Sequence, residues 1–179
     1  MRLIAIDPGT TESAWVVYEP FPSSMIGRVL AHGHEPNSDV LWSLRNNEHD
    51  ADALTIEKIA SYGMAVGAEV FDTCIWIGRF DEAWATSSIP HRRPARLVYR
   101  RDVKLHLCGQ SRAKDPNVRQ AILDLYGGKA AAMGRKAARG PLYGVSGDVW
   151  SALAVAITAS NVAPNALPIA APNEIARPA

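Results

Sequence analysis

The 179-residue chain predicts a single α/β domain, a mixed sheet with helices on its faces. Three observations carry that expectation. Three short apolar runs separated by turn residues open the sequence, as in an antiparallel meander. Strand-like and helix-like stretches then alternate. The length suffices to bury most apolar surface in one core, and a composition of 47% hydrophobic and 21% charged residues is that of an ordinary globular protein.

The first strands are expected at residues 3–6, 14–18 and 27–31, divided by a Pro-Gly turn and by the cluster "EPFPSS". Ser38 is placed to cap a short helix reaching about residue 46, and "DALTIE" at 52–57 reads as a fourth strand. A long helix over 64–84 follows from the spacing of Val66, Val70, Ile77 and Phe80. Phe71, Cys74, Ile75 and Trp76 widen its apolar stripe, which implies burial on more than one side, against the sheet and a partner subunit. Pro90 and Pro94 end that region, and "ARLVY" at 95–99 is a fifth strand. Val103, Leu105 and Leu107 belong to a short helix or turn. Asp115-Pro116 opens a helix to about 126, with the proline at its first position. Residues 127–144 hold five glycines and four positive charges with little periodicity, and read as a flexible basic loop. A last helix spans about 147–160, and the Pro- and Ala-rich residues 161–179 form a tail outside the 1–160 domain.

No stretch approaches the roughly 20 apolar residues that span a bilayer. "MRLIAIDPG" lacks a signal region. Cys74 and Cys108 are too few and too far apart for a disulfide framework or a cysteine metal site, so a reducing, cytoplasmic setting is the expectation. The net charge of +1 hides an asymmetry. Residues 1–89 carry 5 Lys/Arg against 13 Asp/Glu, whereas residues 90–150 carry 13 against 4. A basic segment joined to an acidic front half points to a polyanionic partner, unless the two blocks face and cancel each other.

Three carboxylates stand at element ends: Asp7 after the first strand, Glu57 closing the fourth, Asp148 opening the last helix. Converged on one side of a mixed sheet, they would repel one another unless a cation intervened, and such hard oxygen ligands suit Mg²⁺ or Mn²⁺. Each also has a plainer reading. Asp7-Pro8-Gly9 is an ordinary turn, Asp148 is a helix cap, and Glu57 pairs with Lys58 or Arg79. "DPGTT" is also similar to the phosphate-binding turn of the actin and sugar-kinase superfamily. That superfamily needs two such domains, and this chain holds no second copy.

Beyond these residue-level readings, "RLIAIDPGTTESAWVV" resembles the opening of the RuvC-type Holliday junction resolvases, and "LTIEKI" resembles the strand carrying their Glu. "VKLHLCGQSRAKDPNV" and "GDVWSALAVAIT" are similar to their Val-Lys segment and closing acidic helix. The phage and prophage branch is the most similar. The resemblance implies an RNase H-like fold: a five-stranded mixed sheet, an antiparallel three-strand meander plus two parallel strands, with helices on both faces. It further implies a homodimer that nicks two strands of four-way DNA symmetrically, with two Mg²⁺ ions per site. Asp7, Glu57 and Asp148 then match metal ligands, and Lys104 matches a catalytic lysine that contacts the phosphate.

Ser151 falls where many members have a fourth Asp, and as a candidate metal ligand it brings no charge. Asp148 and water complete the shell, or Glu12 or another acid compensates, or catalysis is weakened. Arg92, Arg93, Arg96, Arg100, Arg101, Arg112, Lys114 and Arg119 flank Lys104, and Lys129, Arg135, Lys136 and Arg139 lie in the glycine-rich stretch. About half of these would bind backbone phosphates without reading sequence. Tyr62 is a candidate to stack on an unpaired base. The alternatives are a nuclease of broader branched-DNA or flap specificity, and a junction-binding protein of weakened catalysis.

Overall fold

The computed structural model describes residues 1–61, 65–89 and 92–162. Its centre is β1 (Leu3–Asp7), a strand buried on both faces. Such a strand reads as an unbroken apolar run because side chains alternate between two covered surfaces. Strand β2 (Glu12–Pro20) pairs antiparallel with β1, and β3 (Gly27–Pro36) pairs antiparallel with β2. On the other side β4 (Ala53–Lys58) and β5 (Arg96–Tyr99) run parallel to β1. The sheet order is β3-β2-β1-β4-β5, the expected meander plus two parallel strands.

Helix α1 (Asn37–Asn46) and helix α2 (Ala68–Ala85) cover one face, burying Val40, Leu44, Ile77, Phe80 and Trp84 against Ile4, Ile6, Trp15 and Val17. The other face carries α3 (Arg100–Cys108), α4 (Asp115–Leu125), α5 (Lys129–Met133) and α6 (Val149–Asn161). Helix α6 lies on β1 and β2 and is apolar nearly all round, with residues 152–158 all buried. A helix covered on every side has no amphipathic stripe to display. Among the described residues no helix is long and apolar enough to cross a membrane.

Several boundaries differ from expectation. Strand β3 runs five residues past the predicted end, through His32-Gly33-His34-Glu35-Pro36, because pairing with β2 extends an edge strand whose outward side needs no apolar residues. Gly33 lies there because a Cβ would meet the Trp15 ring at 2.8 Å. Ser38 is not the cap of α1: the helix starts at Asn37, and the Ser38 hydroxyl donates to Asp39 instead. Proline 116 takes the second helical position of α4, after Asp115. The expected basic loop is partly folded. It holds α5 and a small ladder of β6 (Gly134–Arg135) with β7 (Ala138–Arg139), pinned by buried Ala132, Leu142 and Val145. Those anchors are too widely spaced to produce a period. The long helix starts at Ala68 after Gly67, not at residue 64, so Val66 lies ahead of it, and α6 takes in Asn161 from the expected tail; Tyr62, Met64, Pro90 and the tail from residue 163 lie outside the described residues.

The sheet and its central layer separate the two charge blocks. Helices α1 and α2 carry Asp39, Glu69, Asp72, Asp81 and Glu82 on one face. Helices α3 to α5 and their loops carry most of the basic block on the other, while Arg92 stacks on Trp84 of α2 and Arg100 pairs with Glu57 of the acidic half.

Candidate active site

In register, Ile6 of β1 is paired with Ile56 of β4, so the next residues along, Asp7 and Glu57, fall side by side at adjacent strand ends. The carboxyl ends of parallel strands are where open α/β sheets assemble sites. Helix α6 starts at the same end. Asp7, Glu57, Asp148, Ser151, Arg100 and Asp115 together line a cleft of about 410 Å³.

The turn after Asp7 is fastened without its carboxylate. The Gly9 N–H donates to Ser13 Oγ at 3.2 Å, the Ser13 hydroxyl donates to Asn37 Oδ1 at 2.5 Å, and Asn37 Nδ2 donates to the Gly9 carbonyl at 3.0 Å. Ser13 and Asn37 are both buried. Gly9 is demanded by close approach, since a Cβ would stand 2.3 Å from the Glu12 carbonyl oxygen. The turn is therefore a rigid mount for Asp7.

Glu57 is buried, its side chain 7% exposed, and pairs with neither Lys58 nor Arg79. Arg100 Nη1 donates to both its oxygens, at 3.3 and 3.0 Å. Burial and the adjacent Asp7 charge push the Glu57 carboxyl up to about 8, against the lowering effect of Arg100. Burial likewise raises Asp7, with Asp148 adding to the rise and Arg100 and Ser151 opposing it. Like charges removed from water hold protons until a cation neutralises them.

Asp148 is the residue before α6, and its side chain makes no capping hydrogen bond. The carboxylate is exposed, 4.0 Å from His34 Nε2. Ser151, one turn on, faces the same cleft. Glu12 begins β2 exposed and is not part of the cleft lining; the further acid there is Asp115. Its Oδ1 lies 2.7 Å from Arg100 Nη2 and 3.6 Å from Lys104 Nζ. Burial favours its neutral form, yet the two cations outweigh burial and hold the carboxyl below the usual range.

The donor chemistry fits a hard divalent cation at Asp7 and Glu57, two neighbouring carboxylates whose shared charge a cation would relieve. Among the described residues no group of three or more His, Cys, Asp or Glu side chains is already drawn together as a metal site. Asp148 stands apart towards His34, and a guanidinium takes the place beside Glu57.

The basic residues divide into two sets. Arg100, Arg101 and Lys104 line a second small depression beside the cleft, and Arg119 flanks it stacked over Trp150 at 4.9 Å. Arg112, Lys114, Lys129, Arg135, Lys136 and Arg139 are exposed on the same side of the sheet. Arg92 and Arg96 are elsewhere. Arg92 stacks on Trp84 and donates to Asn47 and to the Ala51 carbonyl, while Arg96 donates to the Ala159 carbonyl at 2.6 Å. Both line a larger cavity, about 910 Å³, at the opposite end of the sheet. Sequence reasoning passed over Ser13, Asn37, His34 and the acidic role of Asp115, which read only as a helix start.

A five-stranded mixed sheet in this order, helices on both faces and acids at the ends of β1 and β4, is the RNase H-like fold. Among solved structures, RuvC of Thermus thermophilus shares it, with a TM-score of 0.64 and 19% identity over 89% of this chain and 93% of that one. The T. thermophilus RuvC in complex with a Holliday junction substrate is similar at a TM-score of 0.61 and 20% identity, over 89% and 93% of the two chains. The chain matches no protein-family model and no curated protein.

Proposed function

We propose that the chain is a divalent-metal-dependent, structure-selective endonuclease that resolves four-way DNA junctions by paired nicks. The observation that carries this reading is the placement of Asp7 beside Glu57, with Asp148 on the same cleft, in a fold shared with a junction-bound RuvC. Asp7, Glu57 and Asp148 would hold two Mg²⁺ or Mn²⁺ ions. Held there, such ions would supply a lowered pKa for an attacking water and charge stabilisation for a leaving 3′-oxygen, chemistry that would give a 5′-phosphate and a 3′-hydroxyl.

The protein's own side chains do the rest. The Ser13–Asn37 fastening keeps Asp7 at a fixed height above the sheet. Lys104 and Arg100 present positive charge to the scissile phosphate from α3. Arg101, Arg112, Lys114, Arg119, Lys129, Arg135, Lys136 and Arg139 hold the backbone of the arms without reading bases. Symmetric cleavage calls for two copies. On α2 the residues Phe71, Cys74, Ile75 and Gly78, spaced i, i+3, i+4 and i+7, form an exposed stripe on which a second subunit would pack, with Phe71 and Ile75 each 60% exposed.

The test is a gel assay with a labelled four-way junction, a replication fork and a linear duplex, with and without Mg²⁺ or Mn²⁺. Paired nicks confined to the junction are expected, and cleavage of every branched form points instead to a broader flap-type nuclease. Asp7→Asn should lower cleavage by at least about 100-fold while leaving junction binding intact. A second reading, a junction-binding protein of weakened catalysis, is favoured by the neutral Ser151 in the cleft. Binding without cleavage in either metal establishes it.

A further inference from the structure

We propose that Arg100 is the resident counter-ion of the acidic cleft, and that Asp115 is the post that keeps it there when a divalent ion takes its place on Glu57. The inference rests on the nuclease reading of the cleft and assigns roles that the reading does not contain.

Arg100 is the first residue of α3, directly after β5, whose Val98 pairs with Glu57. Its guanidinium is used from two edges. One nitrogen donates to both oxygens of Glu57, and the other lies 2.7 Å from Asp115 Oδ1. Only a planar fork spans two carboxylates in this way; a lysine is a point charge. Glu57 cannot be left bare, since a buried carboxylate needs a partner. Arg100 Nη1 meets both of its oxygens, so a metal ion reaching Glu57 competes with the guanidinium for the same carboxylate.

Asp115 is differently placed. It is the first residue of α4, mostly exposed, and Lys104 stands 3.6 Å from the same oxygen that meets Arg100. When Arg100 leaves Glu57, the Asp115 contact remains and holds the guanidinium at the rim of the cleft, facing a phosphate oxygen of the bound strand. The cation thus passes from protein acid to substrate, and Asp115 acts as a positioning residue through Arg100. A cleft that keeps its own cation stays folded without metal and repels DNA less than two bare carboxylates would.

The test joins Mn²⁺ titration by calorimetry, without DNA, to junction cleavage. It uses the parent, Arg100→Ala, Arg100→Lys, Asp115→Asn and the double variant R100A/D115N. Removing the competitor should tighten Mn²⁺ binding about tenfold in Arg100→Ala while slowing cleavage by a similar factor. Asp115→Asn leaves the guanidinium wholly to Glu57 and should weaken Mn²⁺ binding several-fold. Because Asp115 acts through Arg100, the double variant should bind Mn²⁺ as Arg100→Ala does. Arg100→Lys, which keeps a charge against Glu57 if the alanine variant fails to fold, should bind Mn²⁺ more tightly than the parent and cleave more slowly.

Tightening absent from both Arg100 variants overturns the proposal, as does Mn²⁺ binding by neither the parent nor either Arg100 variant. A double variant that binds clearly more weakly than Arg100→Ala also overturns it, since Asp115 would then be a ligand itself. If the metal cycle comes out as expected but the parent does not cut junctions, the counter-ion stands and the resolvase reading falls.

Discussion

At Glu57 burial and charge pull in opposite directions. The carboxylate is enclosed, and burial beside Asp7 raises its pKa from 4.5 to about 8. The folded protein therefore keeps a proton that the unfolded chain releases between those values. Its stabilising contribution is complete below pH 4.5 and lost as the pH rises through about 8, and Asp7, also raised, acts in the same direction. In EDTA, the Tm should fall from pH 5 to pH 8, and Glu57→Gln should flatten much of that slope; scanning fluorimetry across pH measures both. Ser151 is the complementary case, a cleft residue with no charge to give. Ser151→Asp should preserve or raise junction cleavage in Mg²⁺, read as initial rates on a four-way substrate, and a large loss would show that the position does not face the metal.

Among the elements, the turn between β1 and β2 and the start of α1 form one device. Asn37, 1% exposed, is the first residue of α1, yet its side chain serves the Asp7 turn 28 residues earlier. Asn37→Ala strands the buried Ser13 hydroxyl and the Gly9 carbonyl. Stability should drop by about 1–3 kcal/mol, measured by urea unfolding, and cleavage should fall while junction binding holds. Helix α3 is similarly two-sided. Asp102 and Val103 are buried in the fold, while Arg100, Arg101 and Lys104 look outward beside the cleft. A nine-residue helix of this kind delivers three cations to one rim, Lys104 standing about one turn on from the adjacent Arg100 and Arg101.

Across the whole molecule, the acids of α1 and α2 and the cations of α3 to α5 lie on opposite faces of one sheet, and the cleft opens at the sheet end between them. The exposed stripe on α2 lies on the acidic face, away from the basic helices, so a subunit packed there leaves the proposed DNA side free. The double change F71E/I75E places charge on that stripe without touching the core. It should convert a dimer to a monomer by light scattering at micromolar concentration and uncouple the paired nicks. A parent already monomeric would count against the dimer.

The sheet was legible before any coordinates because β1, β2 and β4 are short apolar runs cut by turn residues, a pattern set within a few residues. Asp7, Glu57 and Asp148 were legible as element ends for the same reason. The limits of β3 and the fold of residues 127–144 were not, since edge pairing and the scattered anchors Ala132, Leu142 and Val145 leave no local period. Nor could the chain reveal that Arg92 and Arg96 stand at the far end of the sheet from Arg100, only a few residues away. Strand β5 carries the chain from one end to the other in four residues, so near neighbours in sequence become opposite poles in space. By itself the sequence determined the five strands of the main sheet and their order, and that three acids stand at the ends of elements. Only the tertiary structure decided that Arg100 joins Glu57 to Asp115, and that Ser13 and Asn37 hold the turn of Asp7. Such bridges run between residues 15 to 43 positions apart on different elements, and nothing within a single element encodes which partners packing will bring together.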